Sequence, residues 1–575
     1  MIRRMNLSPV LPVLLSRLKM ARLSASLLFE GGWKHASPWS ARTRLGAGVL
    51  KRGAILLCAA LVSHSALGAL RLPAVISDHA MIQAGKPLVV WGWAAPGDEV
   101  SINFAVANGK TEHVTASAAP DGRWSAQLPP VPDGSACELE VGTKTEGPIK
   151  VTDILAGEVW LCSGQSNMSY LLTTHARTPN ETTGPEILAE AQKDATEAHG
   201  ALRYFAVQSK RADSPLDDVQ GKWIVATPDT VGGCFALSWN FAVTLHQKLH
   251  VPVGVIDSAI GGTAVEPWTP LPELEACPVG PATIQRYKAK LDSVAPEIKS
   301  KFETDLADWT KRFPTPELQQ QNLATKPVLA EGNSNMPARL YNGMIHGLEP
   351  YALKGFIWFQ GDGNFGNTKE YGELVKTLIR AWRGHWHDDT LPFYYVEMQN
   401  YSKPQQKPVE PNPMSLIREA QQAALQLPAT DVAASLDQGI DKPNYEAHFP
   451  NKKPLGERMA GLALNNIYGQ PGLVHSPQFK SYAVEGNKVR LKLDHAEGLR
   501  LRGNDGLKGF AIRSKDGDWV WADGKIEGQD IVLWSDQFPT PAAVRYAWAF
   551  NPILSVENSA GLPLRPFRTD TESEK

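Results

Sequence analysis

Residues 158–168 read EVWLCSGQSNM. The stretch opens as a continuous apolar run of the kind that forms a doubly buried strand, then passes into five small or polar residues, Ser163 to Asn167. A strand favours Val, Ile, Leu and Trp, whereas a helix start favours Ser, Asn or Asp. A direct passage from one to the other is a strand-to-helix corner, and such a corner lifts a side chain out of the fold. Here that side chain is Ser166.

Further continuous apolar runs follow: VGVID from 253, KGFIWF from 354, PFYYVEM from 392 and VAASLD from 432. Helical periodicity lies between them at 235–249, 370–382 and 414–427. Non-alternating strands separated by helices predict a parallel sheet buried on both faces. A charged, proline-bounded stretch at about 271–335 reads as a partly helical insertion. The flanks differ. Residues 69–153 and 476–575 carry short alternating runs between Pro-Gly, Asp-Gly and Asn-Gly turns, the pattern of sandwich-like β domains. In the second flank, Val489, Leu491 and Leu493 alternate, as do Val544, Tyr546, Trp548 and Phe550. The catalytic segment is expected at 154–475.

The first 68 residues stand apart. KRGAILLCAALVSHSALGA (51–69) places two basic residues before an apolar run at 54–62 and ends in small residues, the layout of a secretory signal peptide cleaved near Gly68. The run is far shorter than the ~20 residues that span a bilayer, so no membrane anchor is expected. A periplasmic or secreted protein follows. A formal net charge of −2 gives no reason to expect nucleic acid as a partner. Cys137, Cys162, Cys234 and Cys277 are too few for a disulfide framework, with Cys162 expected in the buried strand. No CxxC, HExxH or Cys/His cluster appears, so no metal site is expected. The HWHDD at 385–389 reads as a solvated helix end. Seventeen tryptophans suit a carbohydrate ligand, because sugars stack on aromatic rings.

In an open α/β sheet the ligand lies beyond the carboxyl ends of the strands. Those ends carry Gly164-Gln165-Ser166-Asn167, then Gly261 and Gly262, then Gln360 to Asn364, then Asp437, with His448 ahead of another helix. A serine, N–H groups beside glycine, a side-chain amide and a histidine supply nucleophile, oxyanion donors and base for acyl transfer. Met168 stands where the G-x-S-x-G elbow would have its second glycine.

VWLCSGQSNM, GGTAVEPW (261–268), LYNGMIHGLEPYALKGFIWFQGDGN (340–364) and HFPNKK (448–453) resemble the sialate O-acetylesterase-like family of SGNH (GDSL-type) hydrolases, across nearly the whole chain after the leader. The resemblance implies a three-layer α/β/α sandwich and removal of O-acetyl groups from acetylated sugars, either sialic acids or plant hemicelluloses such as xyloglucan, without cofactor. By position it implies Ser166 as nucleophile, His448 as base, and an oxyanion hole of Ser166, Gly262 and Asn364. Gln165, Gln360 and Trp268 would contact substrate. Relatives usually read Gln-Gly-Glu-Ser-Asn where this chain has Asp362 and Gly363, and the orienting acid usually lies three residues before the histidine, at Tyr445 here. Glu446 is the first candidate acid, with Asp362, Asp437 and Asp441 as alternatives and a Ser–His dyad as the remaining case. Arg339 and Arg418 could meet a sialic acid carboxylate, and Asn342 and His346 could line the cleft. The near-repeat GNSNM at 332–336 follows no strand and is expected to be a loop. A lipase or lysophospholipase would need an apolar acyl groove, and a non-catalytic carbohydrate-binding protein would have no use for the serine and histidine.

Overall fold

The computed structural model describes residues 68–571 except 108, 176–183, 294–295, 322–334, 411 and 440–446. The expected leader, Gly68 apart, lies outside the described residues. The chain begins with β1 (Met81–Gln83), β2 (Leu88–Trp93), β3 (Glu99–Val106), β4 (Thr111–Ser117), β5 (Arg123–Leu128) and β6 (Ala136–Thr143), and then enters β7 (Ile149–Gly164). β7 is the element from which the site is built. Its first half, IKVTDI, buries only Val151 and Ile154, while every residue from Ala156 to Gly164 is buried. The first half pairs antiparallel with β6, and Leu155 to Gly157 pair with β1. The second half runs parallel between β10 (Val253–Ala259) and β11 (Gly355–Phe359). The point 153/154, where composition divides the chain, thus falls inside one continuous strand.

The sheet continues through β8 (Leu202–Val207) and β9 (Gly221–Val225) on one side, and β12 (Phe393–Val396) and β13 (Thr430–Ala433) on the other, in the order β13-β12-β11-β7-β10-β8-β9. All neighbours are parallel except β8 and β9. β8 and β9 are strands that the apolar pattern does not reveal: Arg203 interrupts LRYFAV, and its charge is held by Asp153 at 2.8 Å. Trp160 packs on Phe241 of the helix Ala236–Leu249, and on the opposite face Phe356 packs on Trp382 of the helix Thr368–His385. Helices therefore cover both faces, which is why the strands lack alternation. The chain runs from β7 to one edge, returns to β10 and crosses to β11, so the winding reverses at the carboxyl end of β7. Ligands of open α/β sheets bind at that kind of reversal.

The insertion is helical in its described part, with helices Leu271–Ala276, Gly280–Asp292, Pro296–Arg312 and Pro316–Gln321. Near the C-terminus, two four-stranded antiparallel sheets share a core that includes Val489, Leu491, Phe510, Leu533, Val544 and Tyr546. The alternation expected through Phe550 ends earlier. The strand is Ala543–Tyr546, and Ala547 adopts a left-handed conformation (φ 54°) that turns Trp548 to Phe550 out of the sheet. Cys137, Cys162, Cys234 and Cys277 are all buried and free.

Asp257 on β10 couples this frame to pH. Its carboxylate accepts the Phe235 N–H (2.9 Å) at the start of the helix Ala236–Leu249, whose own N-cap residue offers no side-chain bond. Full burial pushes its pKa from 3.8 to about 7. Through that window the folded chain keeps a proton that the unfolded chain has released, so stability falls as pH rises from about 4 to about 7. Asp257→Asn keeps an acceptor for Phe235 and cannot ionise. Its melting temperature should gain on the wild type's between pH 5 and pH 8; thermal melts with the same offset at both pH values would show that Asp257 does not titrate there.

Candidate active site

The corner after β7 is made by backbone crowding. Gly164 has φ 138°, and a β-carbon there would lie 2.2 Å from the Phe359 carbonyl oxygen, so only glycine fits. The same carbonyl accepts the Gln165 N–H at 2.9 Å, and the Gln165 carbonyl then accepts the N–H groups of Met168 and Ser169, both at 2.9 Å. In the resulting turn Gln165 and Asn167 point inward and are buried, while Ser166 between them stays half-exposed.

Asn167 ties this corner to the histidine. Its Nδ2 donates to the carbonyl of Ala447 at 2.9 Å, and Gln399 Nε2 donates to the same oxygen at 3.0 Å. The residues next to Ser166 and next to His448 are therefore bonded to each other. Lys452 secures the tie: its Nζ donates to Asn167 Oδ1 (2.5 Å) and lies 3.3 Å from the centre of the Phe449 ring. Complete burial pushes the Lys452 pKa well down. The His448 ring lies nearly parallel to Tyr170, 6.2 Å between centroids. Asn167, Lys452, Gln399 and Tyr170 were not singled out in the sequence. Asn167 and Lys452 did stand inside the quoted motifs, where asparagine beside the serine and lysine four residues after the histidine were the available signal.

The candidate acids have different fates. Glu446 and Asp441 lie outside the described residues. Burial alone would raise the Asp437 pKa, but Arg458 grips both its oxygens at 2.7 Å and Arg502 approaches to 3.2 Å, holding it below the ordinary carboxylate range. That carboxylate anchors ion pairs with both arginines. Asp362 Oδ2 accepts from Gln165 Nε2 at 3.3 Å, its Oδ1 is buried with no partner, and burial pushes its pKa up to about 6.

The loop after β10 lies against the serine: a β-carbon on Gly261 would be 3.3 Å from Ser166 Cβ, and Gly262 takes φ 72°. Among the described residues the N–H groups of Ser166 and Gly262 find no acceptor within the protein, so both are available to a developing oxyanion. Asn364 is not. Its Nδ2 donates to Glu266 (2.8 Å) and Asn367 (3.1 Å), while its Oδ1 accepts from Val265 N (3.0 Å) and Gln360 Nε2 (2.8 Å). With both amide hydrogens committed, Asn364 braces the Gly262 loop from behind. Asn335, within the GNSNM near-repeat, also braces it by accepting the Ala264 N–H at 2.8 Å.

Three expected substrate contacts are corrected by burial. Trp268 is fully buried, its indole N–H donates to Thr263 Oγ1 at 3.0 Å, and it has no face to offer a sugar. Gln360 is equally buried, donating to Thr263 O and accepting from Tyr371. Gln165 spends its side chain on Asp362 and on the N–H groups of Gly361 and Gly363, both at 3.3 Å. Asn342 donates to Ala212 O, and His346 pairs with Glu349, so both side chains are engaged within the protein. His385 pairs with Glu273 (3.0 Å) and Glu349 (3.3 Å) at a half-buried helix end. Together, a half-exposed hydroxyl, an imidazole and two free N–H groups can carry acyl transfer.

Residues 328–465 match the model of the carbohydrate esterases described as sialic acid-specific acetylesterases. The chain is 27% identical over 556 residues to the sialate O-acetylesterase of Mus musculus, covering 90% of this chain and 97% of that protein. It is 26% identical to the Homo sapiens sialate O-acetylesterase, over 83% of this chain and 88% of that one. The crystal structure of a carbohydrate acetylesterase from Xanthomonas citri is similar throughout, with a TM-score of 0.70 and 30% identity, covering 88% of this chain and 100% of that chain.

Asn364→Ala separates a brace from a donor. As a brace, its loss strands the Val265 N–H and leaves the buried Glu266 carboxylate with Asn367 alone of its two amide donors, and an unpaired buried N–H costs about 1–3 kcal/mol. Melting temperature and turnover should then fall together. Reduced turnover at unchanged melting temperature would return Asn364 to the oxyanion hole.

Proposed function

The chain belongs to the sialate O-acetylesterase-like carbohydrate esterases, and from that membership we propose an exported enzyme that deacetylates neutral plant hemicellulose, xyloglucan or xylan, through an acetyl–serine intermediate on an SGNH-type fold. The observation that carries the serine mechanism is the bond from Asn167 to Ala447, which ties the residue after Ser166 to the residue before His448. Ser166 Oγ attacks the acetyl carbonyl as His448 takes its proton. The negative charge on the carbonyl oxygen is met by the N–H groups of Ser166 and Gly262. Collapse expels the sugar oxygen, which receives the proton from His448. Water, deprotonated by the same imidazole, then releases acetate and restores the serine.

The two arginines that could meet a sialic acid carboxylate are otherwise engaged, which favours a neutral sugar. Arg418 is completely buried and donates to the carbonyls of Met398, Gln399, Ala549 and Phe550. Arg339 is ion-paired with Asp213 at 2.9 Å. Export rests on the 51–69 segment, and among the described residues no helix is long and apolar enough to cross a membrane.

Ser166→Ala should leave the melting temperature unchanged and reduce acetate release by several orders of magnitude; in another serine hydrolase, loss of the nucleophile cost about 10⁶ in turnover. His448→Ala should lose a similar amount, because the two act as one unit. Retention of more than a few per cent of turnover by Ser166→Ala would remove the serine mechanism while leaving family membership intact.

A further inference from the structure

Beside the oxyanion loop, two parts of the chain distant in sequence build an aromatic corner. Phe365 follows Asn364 directly, and its ring meets Phe550 edge-on with centroids 5.9 Å apart. Tyr401, just past the end of β12, meets the same Phe550 ring at 5.4 Å. All three rings are half-buried. Phe550 comes from the C-terminal part, turned toward this corner by the break at Ala547, and it is held firmly. Arg418 takes its carbonyl (3.0 Å), Asn551 Oδ1 accepts from Asn400 Nδ2 (2.8 Å), and Asn551 Nδ2 donates to Ser402 O (3.0 Å). Asn551 thus clamps the loop on both sides of Tyr401.

Among the described residues, two polar groups in this corner have no protein partner. Asp362 Oδ1 is buried and unbonded, two residues before Asn364 and bonded through its other oxygen to the neighbour of Ser166. Among the described residues the Tyr401 hydroxyl has none either, and burial together with the nearby Asp362 charge pushes its pKa up to about 12. A buried acceptor without a donor calls for a ligand or water. Apolar ring faces beside a carboxylate and a phenol match a sugar, which presents C–H faces and hydroxyl edges.

We propose that Phe365, Tyr401, Phe550 and Asp362 form a subsite for a neutral sugar ring next to the scissile acetyl ester, with Phe550 contributed by the C-terminal part. This rests on the carbohydrate acetylesterase reading above. Asp362 accepts sugar hydroxyls, the phenol completes the polar edge, and the rings flank the C–H face. An acidic sugar is disfavoured, since its carboxylate would face Asp362.

Acetate release from O-acetylated xylan and xyloglucan oligosaccharides, from O-acetylated sialic acid and from p-nitrophenyl acetate tests this in wild type, Phe550→Ala and Tyr401→Phe. In Phe550→Ala the ratio of kcat/KM on neutral oligosaccharide to that on p-nitrophenyl acetate should fall about tenfold, chiefly through KM, the loss of about 1.5 kcal/mol of aromatic contact. Tyr401→Phe, which deletes one oxygen, should lower the ratio about threefold, a loss of roughly 0.7 kcal/mol expected for one hydrogen bond. An equal fall on both substrates would make the corner a mere scaffold, and an unchanged ratio in both variants would overturn the subsite. Faster wild-type turnover on sialic acid than on the neutral sugars would overturn the role of Asp362. A wild type that hydrolyses p-nitrophenyl acetate but no acetylated carbohydrate would sink the carbohydrate reading itself, and the subsite would have no occupant.

Discussion

No side chain can stand at residue 164, and much of the site follows from that one exclusion. The closeness of β7 and β11 at this point lets the Phe359 carbonyl take the Gln165 N–H, which starts the turn that exposes Ser166. The same turn sends the Gln165 side chain back across β11, where it collects two N–H groups of the 360–364 loop and the Asp362 carboxylate. That loop in turn presents Asn364 to Val265 and so fixes the path of the Gly262 loop. A strand ending one residue sooner would place neither the hydroxyl nor the N–H groups where they now converge.

The parallel sheet was legible because doubly buried strands leave an unbroken apolar record, as in VWLC and GFIWF. The order of its strands was not, since no local pattern tells β7 to sit between β10 and β11. β8 was missed because Arg203, a charged residue neutralised by Asp153, breaks the record, and the short β9 carries Lys222 among its five residues. At the candidate site, glycine, serine and histidine at strand ends were enough to single out Ser166, Gly262 and His448 as candidates. The direction of side-chain amides could not be read there. Gln165, Gln360 and Asn364 all look like substrate donors in sequence, yet each is turned inward to donate to an acceptor on another loop. Trp268 misleads for a related reason: tryptophan suits a sugar face and a core equally, and only tertiary packing decides.

The C-terminal part is joined to the sheet by charge as well as apolar contact. Arg418 offers four carbonyls a donor each, without a carboxylate bonded to it. Burial lowers its pKa to about 10, so it keeps its charge at neutral pH. Nearby, Glu397 at the end of β12 meets Arg565 at 2.9 Å, with both residues buried. Removing one partner of such a pair leaves an isolated buried charge, which is far more damaging than removing both. Lysine could not replace Arg418, since a single ammonium cannot reach carbonyls fanned around a planar guanidinium. These contacts hold 549–551 against the loop that follows β12, so the mouth of the site is shaped by residues over a hundred positions from the serine.

The continuity of β7 bears on how such chains can be recombined. Where domains meet at a linker, segments from two relatives can be exchanged with attention only to length. Here the seam runs through the middle of a strand whose first half is registered by β6 and whose second half is registered by β10 and β11. A chimera spliced at 153/154 inherits one register on each side of the joint. A slip of a single residue would turn the Trp160 and Leu161 side chains to each other's faces and carry Ser166 off the corner. The N-terminal strands are therefore part of the gauge against which the catalytic sheet is set, and they would be expected to travel with it as a unit.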